Sequence, residues 1–171
     1  MEKLREITLP ERLPLLLELQ PDSNHPSWPY IAQTLFCHSN CYLINMSQLY
    51  CRNLLINAAF NNQNHSLNLS EFPTLQEVVV HFKLKLDTFF DDNEAYANLF
   101  GPTVKRYYEA FSAFEKPKPC IVRDSYPGMT EGKPLYVIDG MHRLVAFGLR
   151  TDLALEYFPI KIYYCTEKLL P

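Results

Sequence analysis

The amino-acid sequence predicts an α/β (α+β) domain with a small mixed sheet and helices, preceded by a mostly helical N-terminal extension. Short apolar runs rich in β-branched and aromatic residues are typical of strands, and they occur at Cys120–Arg123, Leu135–Ile138 and Phe158–Cys165. Apolar and charged residues alternate with a period of two at Phe82–Asp87, which predicts a half-buried first strand. Helical patterns separate these segments. We therefore expect the order strand, helix, strand, strand, helix, strand.

The extension is predicted to span residues 1–70 and to pack on a core domain at 71–171. The stretch at 61–70 is rich in Asn and Ser, a composition typical of a loop or internal linker. The whole chain has 171 residues, of which 47 % are hydrophobic, so its size suits one globular unit.

Three segments of the extension have recognisable patterns. Leu13–Leu19 is compatible with a short helix or with an extended edge, because prolines punctuate the apolar residues around it. Apolar spacing predicts one helix at Tyr30–Phe36 and another at Ser47–Phe60. The hydroxyl of Ser47 is expected to cap the second helix.

An acidic turn follows the predicted first strand. Asp91, Asp92 and Glu94 lie at the expected start of a helix that runs to about Phe114, with a break expected at Gly101-Pro102. The carboxylates either complement the helix dipole or take part in catalysis, and the sequence leaves both readings open. Residues at three- and four-residue spacing form an apolar stripe along this helix, and they are Val104, Tyr107, Tyr108, Phe111 and Phe114.

The charge of the chain excludes some classes of partner. A net charge of −3 and a pI near 5.9 give no general attraction to nucleic acid, so nucleic acid is not an expected partner. No apolar run approaches the ~18 residues needed to cross a membrane, and Met1–Glu6 lacks the pattern of a signal peptide. We expect a cytoplasmic protein with no membrane partner.

The five cysteines are irregularly spaced, which favours reduced thiols over a disulfide framework. Cys37, His38, Cys41 and Cys51 carry side chains that zinc prefers. Cys41, however, begins an apolar run, and no second paired ligand set exists in the sequence. A zinc site is therefore not predicted there.

The densest group of polar residues lies where a predicted strand passes into a helix, at Asp139-Gly140-Met141-His142-Arg143. A strand that ends in Asp-Gly and enters a helix leaves the N–H groups of Gly140, Met141 and His142 at a helix N-terminus, which favours an anion. Arg143 can bind phosphate oxygens in a forked geometry, and Asp139 can hold a metal or a hydroxyl. The pattern predicts a phosphate site. The simpler reading is that Asp139 is a helix cap and Gly140 a turn residue.

This joint resembles a known family. Val137–Leu144 (VIDGMHRL) is similar to the D-G-x-H-R signature of the superfamily that includes the ParB N-terminal domain, sulfiredoxin and the free serine kinases. Lys118–Asp124 resembles the preceding strand of that fold, Phe158–Tyr164 its closing strand, and Phe82–Asp87 its opening strand. The resemblance covers about half of the chain, from near Gln76 to Cys165, and it implies a ParB/sulfiredoxin-like fold.

Departures from the signature narrow the choice within the superfamily. Sulfiredoxin has its catalytic cysteine where this chain has Met141, so sulfinic acid reduction is not expected. ParB proteins continue into a DNA-binding domain, whereas seven residues follow Tyr164 here. The free serine kinases match best. They carry an acidic residue shortly after the first strand, and we match Glu94 to that catalytic acid.

The resemblance implies phosphoryl transfer from a nucleotide, ATP or ADP, with Mg²⁺ as cofactor and a small hydroxyl-bearing substrate as acceptor. Glu94 would accept the proton of the acceptor, and Asp139 would coordinate Mg²⁺ or orient the hydroxyl. His142 would hydrogen-bond a phosphate or act as an acid, and Arg143 would neutralise the transferring group. Nucleotide hydrolysis is the related reaction. The alternatives are a nucleotide-binding switch without turnover and a ParB-like nucleic-acid-binding or nuclease module.

Overall fold

The computed structural model of this chain has one five-stranded sheet with helices on both faces, which confirms the mixed α/β class. It describes residues 1–56, 73–84, 86, 100–110, 118–124, 135–151 and 160–170. The described elements, in chain order, are β1 (Glu2–Glu6), α1 (Leu9–Leu19), α2 (Trp28–Cys37), β2 (Asn40–Met46), α3 (Gln48–Arg52), α4 (Leu75–Lys83), α5 (Phe100–Ala110), β3 (Cys120–Arg123), β4 (Tyr136–Asp139), α6 (Met141–Thr151) and β5 (Ile160–Thr166).

The strand order in the sheet is β1-β2-β5-β3-β4. β1 pairs with β2, β2 with β5, and β3 with β4, all antiparallel, whereas β3 and β5 are parallel. The sheet is therefore mixed, as the sequence predicts. α6 begins two residues after the end of β4, so the carboxyl end of this strand leads straight into a helix N-terminus.

Alternate residues of each strand bury on opposite faces of the sheet, because successive side chains of a strand point in opposite directions. In β2, Tyr42 and Ile44 join the core on the face covered by α4, α5 and α6, whereas Cys41 joins a second core. The second core lies under α1 and α2. Its buried members are Ile7, Leu15, Leu16, Ile31, Leu35, Cys41, Ile121 and Cys165.

The outer edge of β4 is covered by the chain around Leu55. The Leu55 N–H donates to the Leu135 carbonyl at 2.8 Å, and the Val137 N–H donates to the Leu55 carbonyl at 2.9 Å. An uncovered edge presents unpaired N–H and C=O groups to other chains. The extension therefore completes the sheet on the side where the candidate site lies.

The prediction of a strand at Phe82–Asp87 is wrong, because α4 covers the start of this range. A capping box starts the helix, in which the Thr74 N–H donates to the Glu77 carboxylate at 2.7 Å and the Glu77 N–H donates to the Thr74 hydroxyl at 3.2 Å. Leu84, which suggested a buried strand face, is 82 % exposed. The segment that the sequence analysis matched to the family's opening strand therefore begins in a helix.

The extension contains two strands that the sequence analysis missed, β1 and β2, and β2 is hydrogen-bonded to β5 in the middle of the sheet. The helix reading of Leu13–Leu19 is confirmed within α1, and the helix Tyr30–Phe36 is confirmed within α2. The helix predicted at Ser47–Phe60 is shorter than expected. It ends at Arg52, and the Ser47 side chain makes no capping hydrogen bond.

The elements that surround the polar joint agree with the sequence. β3, β4, α6 and β5 are confirmed with small shifts in their ends. α5 begins at Phe100, the first described residue of this region, and is helical at Gly101-Pro102; Val104 is buried with Tyr107 and Tyr108 packed beside it. The acidic turn that contains Glu94 lies outside the described residues, as do Phe111 and Phe114.

Candidate functional site

A cavity of about 390 Å³ opens at the carboxyl end of β4. Its walls come from three distant parts of the chain: the α1–α2 connection, the first half of α5, and the β4–α6 turn. Small-molecule sites typically enclose roughly 300–1,000 Å³, so the cavity has room for a ligand. The lining residues are Leu19, Gln20, His25, Ser27, Thr103, Arg106, Tyr107, Asp139, Gly140, His142 and Arg143.

Gly140 forms the sharp joint between β4 and α6. Its φ is +90°, a backbone conformation that glycine adopts without a steric penalty. A Cβ at this position would lie 2.4 Å from the Cys120 Sγ atom and 2.9 Å from an Arg143 Nη atom. The fold itself therefore requires glycine here, and ligand approach is not needed to explain the residue. The Gly140 carbonyl accepts the first helical hydrogen bond, from the Leu144 N–H at 3.0 Å.

Asp139 and Arg143 form an ion pair across the first turn of α6. The Arg143 Nη2 atom donates to the Asp139 carboxylate at 2.8 Å, and both side chains are mostly buried. The Arg143 Nε atom is buried and has no hydrogen-bond partner in the described part of the chain. A buried donor without a partner costs about 1–3 kcal/mol, so this guanidinium is incompletely satisfied.

Arg106 lies on the opposite wall, on α5, and it is exposed. Its guanidinium contacts the Tyr107 ring, with 5.4 Å between Cζ and the ring centroid. No carboxylate of the described residues forms an ion pair with it. Within the described part of the chain, two guanidinium groups and one carboxylate line the cavity, and the carboxylate pairs with Arg143 rather than Arg106.

His142 is a neutral group at physiological pH. Burial lowers its pKa to about 4, and the positive charges of Arg106 and Arg143 act in the same direction. A neutral imidazole can still donate or accept a hydrogen bond. The acid role predicted for His142 would require a bound anion that raises its pKa again.

The wall of the cavity that the α1–α2 connection forms carries a histidine–serine pair. The Ser27 N–H donates to the His25 Nδ1 atom at 3.2 Å, and the Ser27 hydroxyl lies 2.7 Å from the same nitrogen. A backbone N–H can only donate, so Nδ1 is the unprotonated nitrogen of the ring and the hydroxyl donates to it as well. Ser27 also lies at the N-terminus of α2, so two helices of the structure begin at this cavity.

The structure brings Asp139, Gly140, His142 and Arg143 together around one cavity, as the sequence predicts. The Met141 side chain instead packs against the core of the α4–α6 face, which leaves only its main chain for a ligand. Glu94, the proposed base, lies outside the described residues.

Sequence reasoning missed the other two walls of the cavity. Arg106 has only one signal in the sequence, its place on the polar face of the helix whose apolar stripe contains Val104 and Tyr107. His25 and Ser27 have none, because more than 100 residues separate them from the β4–α6 turn.

All five cysteines lie within the described residues and are free thiols. Among the described residues no group of three or more His, Cys, Asp or Glu side chains is arranged to hold a metal ion. Cys41 lies instead opposite Cys165 on β5, with 3.3 Å between their sulfur atoms, and the His38 ring contacts the Thr34 carbonyl. Asp139 is the candidate ligand for Mg²⁺ in the cavity. One carboxylate together with substrate phosphates is a common Mg²⁺ environment, so the residue fits this cofactor once it is released from Arg143.

Comparisons with known proteins do not assign this chain to a family: no family model matches it, and searches of curated proteins and of solved structures found no match. No helix within the described ranges is long and apolar enough to span a bilayer.

Proposed function

We propose that this chain binds the phosphates of a nucleotide, ATP or ADP, at the β4–α6 turn. In this proposal it transfers a phosphoryl group to a small hydroxyl-bearing substrate, as a kinase resembling the free serine kinases, or to water as a hydrolase. The observation that carries the proposal is one cavity lined by the start of α6 and by two arginines, of which only Arg143 has a carboxylate partner among the described residues.

The electrostatics of the cavity favour an anion. Among the described lining residues, Arg106 and Arg143 carry two positive charges and Asp139 carries one negative charge. α2 and α6 both begin at the cavity, and the N-terminus of each helix carries a partial positive charge. Free N–H groups in the first turn of a helix are common phosphate ligands.

The family resemblance adds support from three segments of the sequence, the D-G-x-H-R turn and the strands β3 and β5. The fourth segment, Phe82–Asp87, begins inside helix α4 and not in a strand. The ParB/sulfiredoxin-like fold is therefore a proposal that rests on the other three segments. The motif still accounts for the local arrangement, a strand that ends in aspartate and enters a helix through glycine and arginine.

Each residue has a role in the proposed reaction. The first-turn N–H groups of α6 and the Arg106 guanidinium hold the phosphates, and Arg143 stabilises the charge that develops on the transferring group. Asp139 would hold Mg²⁺, which supplies further charge neutralisation when bound. Glu94 would accept the proton of the attacking hydroxyl. His142, in its neutral form, donates or accepts one hydrogen bond at the phosphates.

A thermal-shift panel tests the binding step. We expect one of ATP, ADP, CTP, GTP or pyrophosphate to raise the melting temperature, because a ligand at one hundred times its Kd adds about 2.7 kcal/mol to stability. Arg106→Ala and Arg143→Ala should reduce the shift. Arg150→Ala is the matched control, since Arg150 lies at the other end of α6 and contacts Tyr108 rather than the cavity. Absence of a shift with every ligand contradicts the proposal.

A nucleotide-binding switch without turnover is the second candidate. The Asp139–Arg143 ion pair favours this candidate, because the Asp139 carboxylate that would hold Mg²⁺ is already bound to Arg143. Glu94→Gln separates the two candidates. If Glu94 is the base, the variant should keep the nucleotide-induced thermal shift and lose product formation. If the wild-type protein binds a nucleotide but forms no product with serine or other small alcohols and releases no phosphate, the switch is the better description.

A further inference from the structure

The His25–Ser27 pair gives the cavity a second chemical group that the proposed reaction does not use. A hydroxyl whose proton is donated to an imidazole nitrogen is an activated nucleophile, since the base can remove that proton as the oxygen attacks. The Ser27 hydroxyl lies 2.7 Å from His25 Nδ1, within the range for such a pair. The Ser27 N–H also donates to Nδ1 and keeps this nitrogen in its accepting form.

The surroundings of Ser27 suit the product of a phosphoryl transfer as well as the nucleophile. Ser27 is the N-terminal cap residue of α2, a helix of 10 residues, and its side chain makes no capping hydrogen bond. A phosphate at a helix N-terminus is stabilised by the helix dipole. The guanidinium of Arg106, which has no carboxylate partner among the described residues, lines the same cavity. A phosphorylated Ser27 would therefore lie in an environment that favours its charge.

We propose that Ser27 is a phosphoryl acceptor within this chain. The inference depends on the proposed function, because the donor is the nucleotide bound at the β4–α6 turn. The Ser27 Oγ atom attacks the terminal phosphorus, a new O–P bond forms, and the bridging P–O bond of the nucleotide breaks. The hydroxyl proton passes to His25 Nδ1, and the nucleotide leaves with one phosphate fewer. The product is phosphoserine at position 27.

The test is intact-protein mass spectrometry after incubation of the purified full chain with Mg²⁺ and ATP, or with Mg²⁺ and ADP. We expect one added phosphoryl group, mapped to Ser27 by fragmentation of the wild-type protein. Ser27→Ala should lose the modification, and His25→Gln should slow it by roughly 10²-fold, the usual contribution of a general base. Ser23→Ala is the matched control, because Ser23 is an exposed serine of the same connection that does not line the cavity.

The outcomes separate the inference from the proposed function. If a nucleotide raises the melting temperature of the wild-type protein but Ser27 gains no phosphate, the inference is wrong and the proposed function stands. If there is neither a thermal shift nor a modification, both are wrong. Phosphate mapped only to a different residue overturns the inference as well, and site mapping on the wild-type chain does not depend on how well a variant folds.

Discussion

Arg12 and Arg143 are both largely buried, yet the two arginines use their hydrogen-bond donors differently. Arg12 is 4 % exposed, and each of its donor nitrogens is directed at backbone carbonyls. Arg143 has one carboxylate partner and a buried Nε atom without a partner among the described residues. The first arginine holds the fold together, whereas the second retains donor capacity beside a cavity. The acceptors of Arg12 are the carbonyls of Ile7, Leu35, His38 and Ser39.

Replacing Arg12 should have the largest effect on stability. Arg12→Met leaves the buried carbonyls of Leu35 and His38, and the carbonyl of exposed Ser39, without the donors that now lie at 2.7–3.1 Å. At about 1–3 kcal/mol for each of the two buried carbonyls, we expect a loss of roughly 2–6 kcal/mol in the free energy of unfolding, measured by urea denaturation. Arg12→Lys should lose less, because it keeps the charge but not the planar fork.

Arg5→Met is the matched control for this prediction. Arg5 is an exposed arginine whose partner is the Glu11 carboxylate on the surface, and exposed ion pairs contribute little to stability. If Arg12→Met and Arg5→Met unfold at the same urea concentration, the hydrogen bonds from Arg12 to the backbone carbonyls do not stabilise the fold.

Gly140→Ala tests whether the turn beside Arg143 is fixed by the fold. The positive φ and the overlap of the added Cβ with the Cys120 Sγ atom should together cost about 2–4 kcal/mol of stability. A double-mutant cycle with Cys120→Ala separates the two causes. Removing the sulfur should recover the steric part of the loss and leave the backbone part. If Gly140→Ala costs the same with or without Cys120, the contact between them is not the source of the strain.

His142 should make stability depend on pH. Its folded-state pKa is about 4 and its ordinary value is 6.5, so the unfolded chain binds more protons between these two pH values. Stability is therefore full above about pH 6.5 and falls as the pH decreases toward 4. The loss is at most about 3 kcal/mol, from 1.36 kcal/mol for each pKa unit.

The control for this pH dependence is His142→Gln, which has no titrating group at this position. The difference in unfolding free energy between wild type and His142→Gln should change between pH 7 and pH 4. The same difference at both pH values would show that His142 is not the residue responsible.

The separation of the site residues along the chain decides which of them the sequence could predict. The β4–α6 turn is local, since Asp139, Gly140 and Arg143 lie within five residues, and a strand pattern followed by a helix pattern is enough to place them. The other walls of the cavity depend on tertiary packing. Ser27 and Arg106 meet the turn only because α1–α2 and α5 lie on opposite faces of one sheet.

The wrong strand at Phe82–Asp87 has a local cause instead. Three alternating apolar residues suggested a period of two, but the capping box at Thr74 and Glu77 starts a helix whose buried face continues to Phe82. The role of Arg12 was not visible either. Its acceptors lie on α2 and in the turn that follows it, and a backbone carbonyl leaves no signal in a sequence.

Asp139→Asn has the smallest expected effect of these variants. It tests whether Arg143, unlike Arg12, can bind an added anion. The amide keeps the shape of the side chain but removes the charge that neutralises Arg143, so an added anion should find a more available guanidinium. We expect pyrophosphate without Mg²⁺ to bind up to about tenfold more tightly, or about 1.4 kcal/mol, in isothermal titration calorimetry. Asp124→Asn is the control, since it makes the same change of net charge on the connection after β3, where Asp124 contacts Thr166 rather than the cavity.

Mg²⁺ then gives the same variant a second measurement with the opposite expected sign. If Asp139 holds the metal, Asp139→Asn should weaken the binding of the Mg²⁺ complex of ATP while it strengthens the binding of metal-free pyrophosphate, because a neutral amide is a poorer Mg²⁺ ligand than a carboxylate. If the variant binds both ligands more tightly, Asp139 pairs with Arg143 and does not hold Mg²⁺. Weaker binding of both would contradict the view that Arg143 has donor capacity in reserve, and the ion pair would then be a structural contact like those of Arg12.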